Sequence, residues 1–232
     1  MQNEILFLGG VFPPDREAEI FRKSKGGLQN AANALQWNLI HGFDRNRKHP
    51  VDILNYPFIG PWPRAYTDPW LPGFAFSHAE GAEDWNIGGC NIIMLKQHFA
   101  FYHIRNALRR KMKLHPYRIL IIYSLQPFFM RVVEWAKKQY PGLHICVIIV
   151  DLPEFIGMEH DGNPRSRRIK KRNCAYIRGR LPRVDSFVVI TPYIMNFLGI
   201  QNKPHVVVDG IADLLPERPF SETPGEKSGI RN

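Results

Sequence analysis

Ile119-Leu120-Ile121-Ile122-Tyr123, the segment Pro127 to Gln139, and then His144-Ile145-Cys146-Val147-Ile148-Ile149-Val150 form the stretch that decides the architecture. Both apolar runs are continuous, whereas a strand with one wet face alternates polar and apolar residues. They are expected to lie inside a sheet covered on both sides. Between them Pro127 opens a helix at its first turn, where the missing N–H costs little. A helix joining two buried strands implies that the strands run parallel.

The same β-α order extends in both directions. Upstream, Glu4 to Gly10 is expected as a strand, and Leu28, Ala31, Ala32, Leu35 and Leu39 recur at helical spacing up to a stop near Gly42. Val51 to Tyr56 reads as a second strand. Cys90 to Leu95 is a third candidate, running into a helix from about Lys96 to Lys113 that carries Phe99, His103, Asn106 and Arg110 down one side. Downstream, Asp185 to Thr191 is expected as a strand, Pro192 to Leu198 as a short helix and His205 to Val208 as a last short strand. Pro57 to Trp85 is rich in proline, glycine and aromatics without a period, which predicts a long loop or lid. The expected class is α/β, a doubly wound, mostly parallel sheet in one Rossmann-like domain over residues 1–213, followed by a linker-like tail over 214–232. Such sheets bind ligands at the carboxyl ends of their strands, where Gly9, Gly10, Ser124, Asp151 and Thr191 fall.

With 232 residues and 44% hydrophobic content the chain can bury a proper core. Its apolar runs fall far short of the roughly 20 residues a bilayer span requires. No signal-peptide pattern opens it, because Glu4 sits where positive charge is expected and Pro13-Pro14 ends the apolar run. A cytoplasmic protein is expected. Cys90, Cys146 and Cys174 show no paired spacing, so they read as thiols, with neither a disulfide framework nor a zinc site. His98 and His103 are five apart on one helix and do not share a face as metal ligands at i, i+4 do, so no metal is expected.

The net charge of +10 is concentrated. Between Arg165 and Arg183 stand Arg165, Arg167, Arg168, Lys170, Lys171, Arg172, Arg178, Arg180 and Arg183, with no acid among them. A solvated helix face is the ordinary account of a charge run. An anionic membrane surface is the functional one, since each Lys or Arg near it contributes up to about 1 kcal/mol. Arg165, Arg167, Arg168, Lys170, Lys171 and Arg172 are the membrane-binding candidates, with Ile169, Tyr176, Ile177 and Leu181 as apolar contact. A second basic group, Arg109, Arg110, Lys111 and Lys113, ends a predicted helix, where cations meet the negative dipole end.

Gly26 and Gly27 precede the first long helix. A glycine pair there removes side chains and lets backbone N–H groups approach a phosphate or another anion. A plain loop hinge is the alternative reading.

That glycine loop, Ile149-Val150-Asp151-Leu152-Pro153-Glu154, the run from Asp185 through Thr191-Pro192-Tyr193-Ile194-Met195, and Lys203-Pro204-His205-Val206-Val207-Val208-Asp209-Gly210-Ile211 together resemble the N-terminal half of a family 4 glycosyltransferase. The likeness is to bacterial enzymes that build capsular or exopolysaccharides and covers about residues 3 to 213. It implies a GT-B architecture and metal-independent transfer of a sugar from a nucleotide sugar with retention, with no cofactor. It also implies that Gly26 and Gly27 approach the donor diphosphate, that Asp151 is the catalytic candidate near the sugar, and that Glu154 and Asp209 are substrate-binding candidates, Asp209 at the crossing into a second domain. The implied partners are a nucleotide sugar, a lipid-linked or saccharide acceptor, and an anionic membrane surface at the inner face of the plasma membrane. In that family the donor pocket lies in a C-terminal domain that nothing after Asp213 matches, so the chain is expected to be inactive alone.

Two rival classes use the same features. A nucleic-acid binder would exploit the basic patch, but neither stacking aromatics on a sheet nor a recognition helix is evident. A dinucleotide-binding Rossmann protein would need Gly-x-Gly-x-x-Gly between strand and helix, which Gly9-Gly10 and Gly26-Gly27 do not make.

Overall fold

A computed structural model describes residues 4–155 and 164–210. Strand β1 (Ile5–Gly9) is wholly buried. Its odd residues Ile5 and Phe7 pack towards helix α2 (Asn30–Arg45), while Leu6 and Leu8 face the opposite layer. Both faces are therefore dry, which explains why the sequence shows no alternation. Strands β2 (Asp52–Asn55), β7 (Ile119–Tyr123), β8 (His144–Ile149), β9 (Ser186–Val189) and β10 (His205–Val207) continue the parallel sheet.

The full order is β10-β9-β8-β7-β1-β2-β5-β4, where β5 (Asp84–Asn86) pairs parallel with β2 and β4 (Phe74–Phe76) closes that side antiparallel. The expected doubly wound, mostly parallel α/β sheet is thus observed. One face carries helices α3 (Leu95–Leu114), α4 (Pro127–Gln139), α5 (Pro164–Arg178) and α6 (Tyr193–Leu198). Ile104 and Leu108 of α3, Phe129 and Met130 of α4 and Met195 of α6 meet Leu6, Leu8, Leu120, Ile122 and Ile149 of the sheet. The other face is packed by α2 through Leu39 and Ile40.

Three local expectations differ from the structure. The segment 57–85 is more than a loop, since it contributes β3 (Trp70–Leu71), β4 and β5. Cys90 to Leu95 is not a third strand of the main sheet. Only β6 (Gly89–Cys90) is extended, and it pairs antiparallel with β3 in a separate two-stranded sheet. A seven-residue helix, α1 (Glu17–Lys23), also stands between β1 and α2. It seats Ile20 in a third apolar cluster with Phe12, Ile59, Tyr66 and Leu71.

Polar side chains stitch the two ends of the sheet. At the carboxyl end Asn55 Nδ2 donates to Val11 O at 2.9 Å and to Asn86 Oδ1 at 2.7 Å, while Asn86 Nδ2 donates to Pro72 O at 3.0 Å. At the amino end His78 is clamped between Asp84 (2.6 Å) and Asp44 (2.9 Å). Tyr117 donates to Asp52 in the same region. Gly88 is required by close approach, because a Cβ there would stand 2.4 Å from Gly73 N and 2.8 Å from Leu71 O. The expected tail, residues 214–232, lies outside the described residues.

Candidate functional site

The parallel strands bring their carboxyl ends to one edge, and side chains fasten α2 to it. Gly10 N donates to Gln36 Oε1 and Phe12 N to Asn33 Oδ1, both at 2.7 Å. The first turns of α2 are thereby pinned beside the end of β1. The segment leading into α2 is pinned as well, with Lys25 N donating to Ala65 O and Thr67 N to Lys23 O, each at 3.0 Å.

Gly26 and Gly27 follow this anchored segment and are exposed. A Cβ at either would meet nothing within 4 Å, and neither adopts the left-handed backbone. The fold therefore does not demand glycine at these positions. Helix α2 has no side-chain cap and no acid in its first turn. Its free N–H groups and positive dipole end suit an anion.

Asp151 follows β8 at the same edge and is exposed. Its charge joins burial in raising the Tyr123 hydroxyl well above its ordinary pKa, with burial the larger cause. Ser124, the residue after Tyr123, is buried at φ 80°, an uncommon conformation for a residue with a Cβ. Its N–H donates to Ile148 O at 2.9 Å. With neighbouring strands about 4.8 Å apart, Asp151 after β8 stands two strand spacings from β1, roughly 10 Å, and Asp209 after β10 stands four, roughly 19 Å. The edge thus gathers Gly9, Gly10, Ser124 and Asp151 but leaves Asp209 at its far end.

Glu154 is held by an ion pair. Its Oε1 accepts from Arg178 at 2.8 Å, and Arg178 also donates to Phe197 O and lies over the Phe197 ring. In the basic segment Arg167, Arg168, Lys171 and Arg172 of α5 are exposed and Lys170 is half-buried. The side chain of Arg165 lies outside the described residues. Ile177 and Leu181 are buried in the core and Tyr176 lies beneath Arg180, 3.3 Å from guanidinium carbon to ring centre. Of the four apolar contacts expected on that segment, these three are committed inward and only Ile169 remains exposed.

Sequence reasoning missed a shallow cleft, open to solvent, beside the ends of β1, β2 and β5. Ile20, Ile59 and Leu71 floor it, and Tyr66 and Phe74 line it. Its rim is charged in both signs: Arg16 bonds Glu19 at 3.0 Å, and Lys23 bonds Glu19 at 2.6 Å and Asp68 at 2.7 Å. The hydrogen bond from Lys23 lowers the pKa of Asp68, and the one to Asp68 raises that of Lys23. Arg16 stands 5.3 Å over the Phe74 ring. Such a cleft offers an apolar floor to a ring face and donors and acceptors to hydroxyls. The signal for it was the alternating charge of Arg16, Glu19 and Lys23 at helical spacing, split from its partners by some 45 residues of chain.

Nearby Lys96 donates to Ile59 O at 2.6 Å and lies 5.9 Å over the Tyr56 ring. Burial lowers its pKa to about 7. Among the described residues no three His, Cys, Asp or Glu side chains gather to hold a metal. Cys90, Cys146 and Cys174 are free thiols, the first buried and the others half-buried. No described helix is long and apolar enough to cross a membrane.

No family model matches the chain. No curated protein sequence matches it either. Solved structures do. A sucrose-phosphate synthase chain from Thermosynechococcus elongatus aligns with a TM-score of 0.50 at 11% identity, over 87% of this chain and 85% of that one. A second sucrose-phosphate synthase chain from the same organism aligns with a TM-score of 0.52 at 13% identity, over 88% of this chain and 47% of that one. This chain therefore spans about half the length of that longer structure, and the likeness is one of fold.

Proposed function

We propose that the chain is the acceptor-binding domain of a GT-B glycosyltransferase, of the family 4 kind that uses a nucleotide sugar, retains anomeric configuration and needs no metal. Its setting is the synthesis of a surface polysaccharide. The observation that carries this reading is the edge of the parallel sheet, where an uncapped helix N-terminus preceded by two glycines stands beside an apolar-floored cleft with a charged rim. The cleft takes the acceptor sugar, with its ring face on Ile59 and Leu71 and its hydroxyls on Glu19, Asp68 and Arg16. Gly26 and Gly27 admit the donor diphosphate to the first turn of α2. Asp151 faces the transferring sugar, Glu154 holds the loop after β8 through Arg178, and Asp209 lies at the passage to a donor-binding domain.

Magnitudes support a division of labour. A helix N-terminus contributes about 0.3–1 kcal/mol to an anion, up to about 2 when partly buried, whereas micromolar binding needs roughly 8 kcal/mol. Gly26 and Gly27 cannot hold a nucleotide sugar unaided, so the donor is gripped by a second domain, as a fold match covering 47% of a longer chain allows. The test is radiolabelled sugar transfer by the purified 232-residue chain. The reading expects no turnover by the chain alone, and weak acceptor binding that is lost in Tyr66→Ala and Phe74→Ala. Turnover without any added domain, or acceptor binding indifferent to both substitutions, refutes it.

A further inference from the structure

Lys96 is the second residue of α3, and side chains on a helix lean towards its N-terminus. Its amine therefore reaches back to the segment after β2, where it donates to Ile59 O at 2.6 Å and lies 5.9 Å over the Tyr56 ring. Other lysines that turn inward reach a carboxylate: Lys23 bonds Asp68 at 2.7 Å, Lys137 bonds Asp185 at 2.8 Å, and Lys111 stands 3.8 Å from Glu83. Lys96 instead meets a carbonyl and a ring face. Neither carries a formal charge to balance an ammonium, and the carbonyl engages one of its three N–H groups.

The surroundings suit an anion better than a cation. Helix α3 is 20 residues long, with no side-chain cap and no acid in its first turn, so the positive end of its dipole falls beside the amine. The Tyr56 hydroxyl supplies an independent sign. It is buried, and among the described residues it has no hydrogen-bond partner. Burial, and Cys90 to a lesser degree, raise its pKa, so it stays protonated and able to donate. A buried donor without an acceptor calls for one. The amine itself is a nucleophile in waiting, because burial brings its pKa to about 7 and leaves much of it with a free lone pair near neutral pH. Ile59 is buried against it, so an electrophile that reaches the amine must be small and uncharged.

We propose that Lys96 is a carbon dioxide site, at which the amine becomes a carbamate held by Tyr56 and the start of α3. The Nζ lone pair attacks the carbon of carbon dioxide, a C–N bond forms, one C=O π pair moves onto oxygen, and an N–H proton leaves to water. The balance is one amine and one carbon dioxide giving one carbamate anion and one proton, with no oxidant or further reactant. The remaining N–H keeps its bond to Ile59 O, and the new oxygens accept from the Tyr56 hydroxyl and face the positive helix end. The reaction turns a buried cation into an anion directly behind Ile59, which floors the cleft, and so ties the charge beneath the cleft to dissolved carbon dioxide. The inference holds whether or not the chain transfers a sugar, because the carbamate is read without acceptor or donor.

The experiment exposes the full chain to isotopically labelled bicarbonate in equilibrium with carbon dioxide at about pH 8, above the Lys96 pKa and below that of an ordinary lysine. Carbon NMR reads carbamate, and esterification with triethyloxonium followed by digestion and mass spectrometry locates it. A carbamate on Lys96 is expected, absent from Lys96→Arg and weakened by about tenfold in Tyr56→Phe, the loss of one hydrogen bond to a charged group. At fixed dissolved carbon dioxide its occupancy should rise as pH passes about 7, whereas exposed Lys113 and Lys138 should stay unmodified there. Circular dichroism checks that the variants are folded, and if Lys96→Arg is not, the site located in the wild-type digest decides in its place. No trapped carbamate on Lys96 overturns the proposal, as does label confined to the terminal amine or spread evenly over exposed lysines. Label that binds but resists esterification is bicarbonate held without a C–N bond and also overturns it. Undiminished occupancy in folded Tyr56→Phe refutes the part assigned to the hydroxyl, and with it the site.

Discussion

Raising the pH from 6 to 9.5 should remove a definable part of the stability of this protein through one residue, His78. Its side chain is 1% exposed and both ring nitrogens face carboxylates, Nδ1 to Asp84 at 2.6 Å and Nε2 to Asp44 at 2.9 Å. Only the imidazolium can donate to both at once. Burial alone would depress the pKa, but the hydrogen bonds and charges of Asp44 and Asp84 outweigh it and raise the value from 6.5 to about 9. A group whose pKa is higher folded than unfolded contributes fully below its unfolded pKa and loses that contribution as pH rises through the folded one. The window therefore runs from about pH 6.5 to just above 9. At 1.36 kcal/mol per pH unit the shift is worth about 3 kcal/mol, a large fraction of a typical domain's stability. The assay is urea unfolding of wild type and His78→Gln across this range, taking the difference at each pH so that other titrating groups cancel. The difference should be greatest near pH 6 and shrink by about 3 kcal/mol towards pH 9.5. A difference that stays constant over the range would falsify the assignment of a charged, clamped His78.

Lys96 should act with the opposite sign. Its pKa is lower folded than unfolded, so burial of its ammonium costs stability below about pH 7 and the cost is relieved as pH rises towards 10.5. Lys96→Met should gain stability relative to wild type at pH 6 and lose that advantage at pH 10, as thermal unfolding at both pH values will report. Gly88→Ala should cost about 2–3 kcal/mol, because the new Cβ meets the backbone of Gly73 and Leu71, which cannot yield as a side chain can. Gly26→Ala and Gly27→Ala should change stability by less than about 1 kcal/mol and in the favourable direction, through a stiffer unfolded chain. A clear loss of melting temperature in either would mean that the fold, and not a ligand, requires those glycines. Asp185→Asn should weaken the protein by about 1–3 kcal/mol near neutral pH, since its carboxylate accepts from Lys137 Nζ at 2.8 Å and from Ile145 N at 2.7 Å. As the Asp185 pKa is lowered, against burial, by Ile145 and Lys137, the gap to wild type should close only below pH 4 in acid titrations.

The sheet was legible because its strands are dry on both faces and its helices are long enough to show a period. Pro127 to Gln139 coincides with α4 for this reason. The region from Pro57 to Leu95 was not legible, because β3, β5 and β6 are two or three residues long and hold too few side chains to alternate. Asp84 and Asn86 look like loop residues, yet they are buried, satisfied by His78, Ile53 N, Asn55 and Pro72 O, none of them adjacent in sequence. Ile93, Met94 and Leu95 read as a strand because they are apolar, whereas they face solvent. The edge that holds Asp151 followed from the rule that ligands meet strand ends. The cleft did not, because Arg16, Tyr66, Phe74 and Asn86 reach it from four separate segments.

The two margins of the eight-stranded sheet are unlike. On one side β4 runs against its neighbour, while on the other β10 runs with its own and, among the described residues, pairs only with β9 and leaves His205, Val206 and Val207 exposed. An exposed parallel edge strand of that kind is a template for further hydrogen bonding between molecules. Concentrated stocks of this protein should first fail by stacking along β10, so a lysine introduced there, Val206→Lys, is the simplest way to raise its solubility limit without touching the cleft.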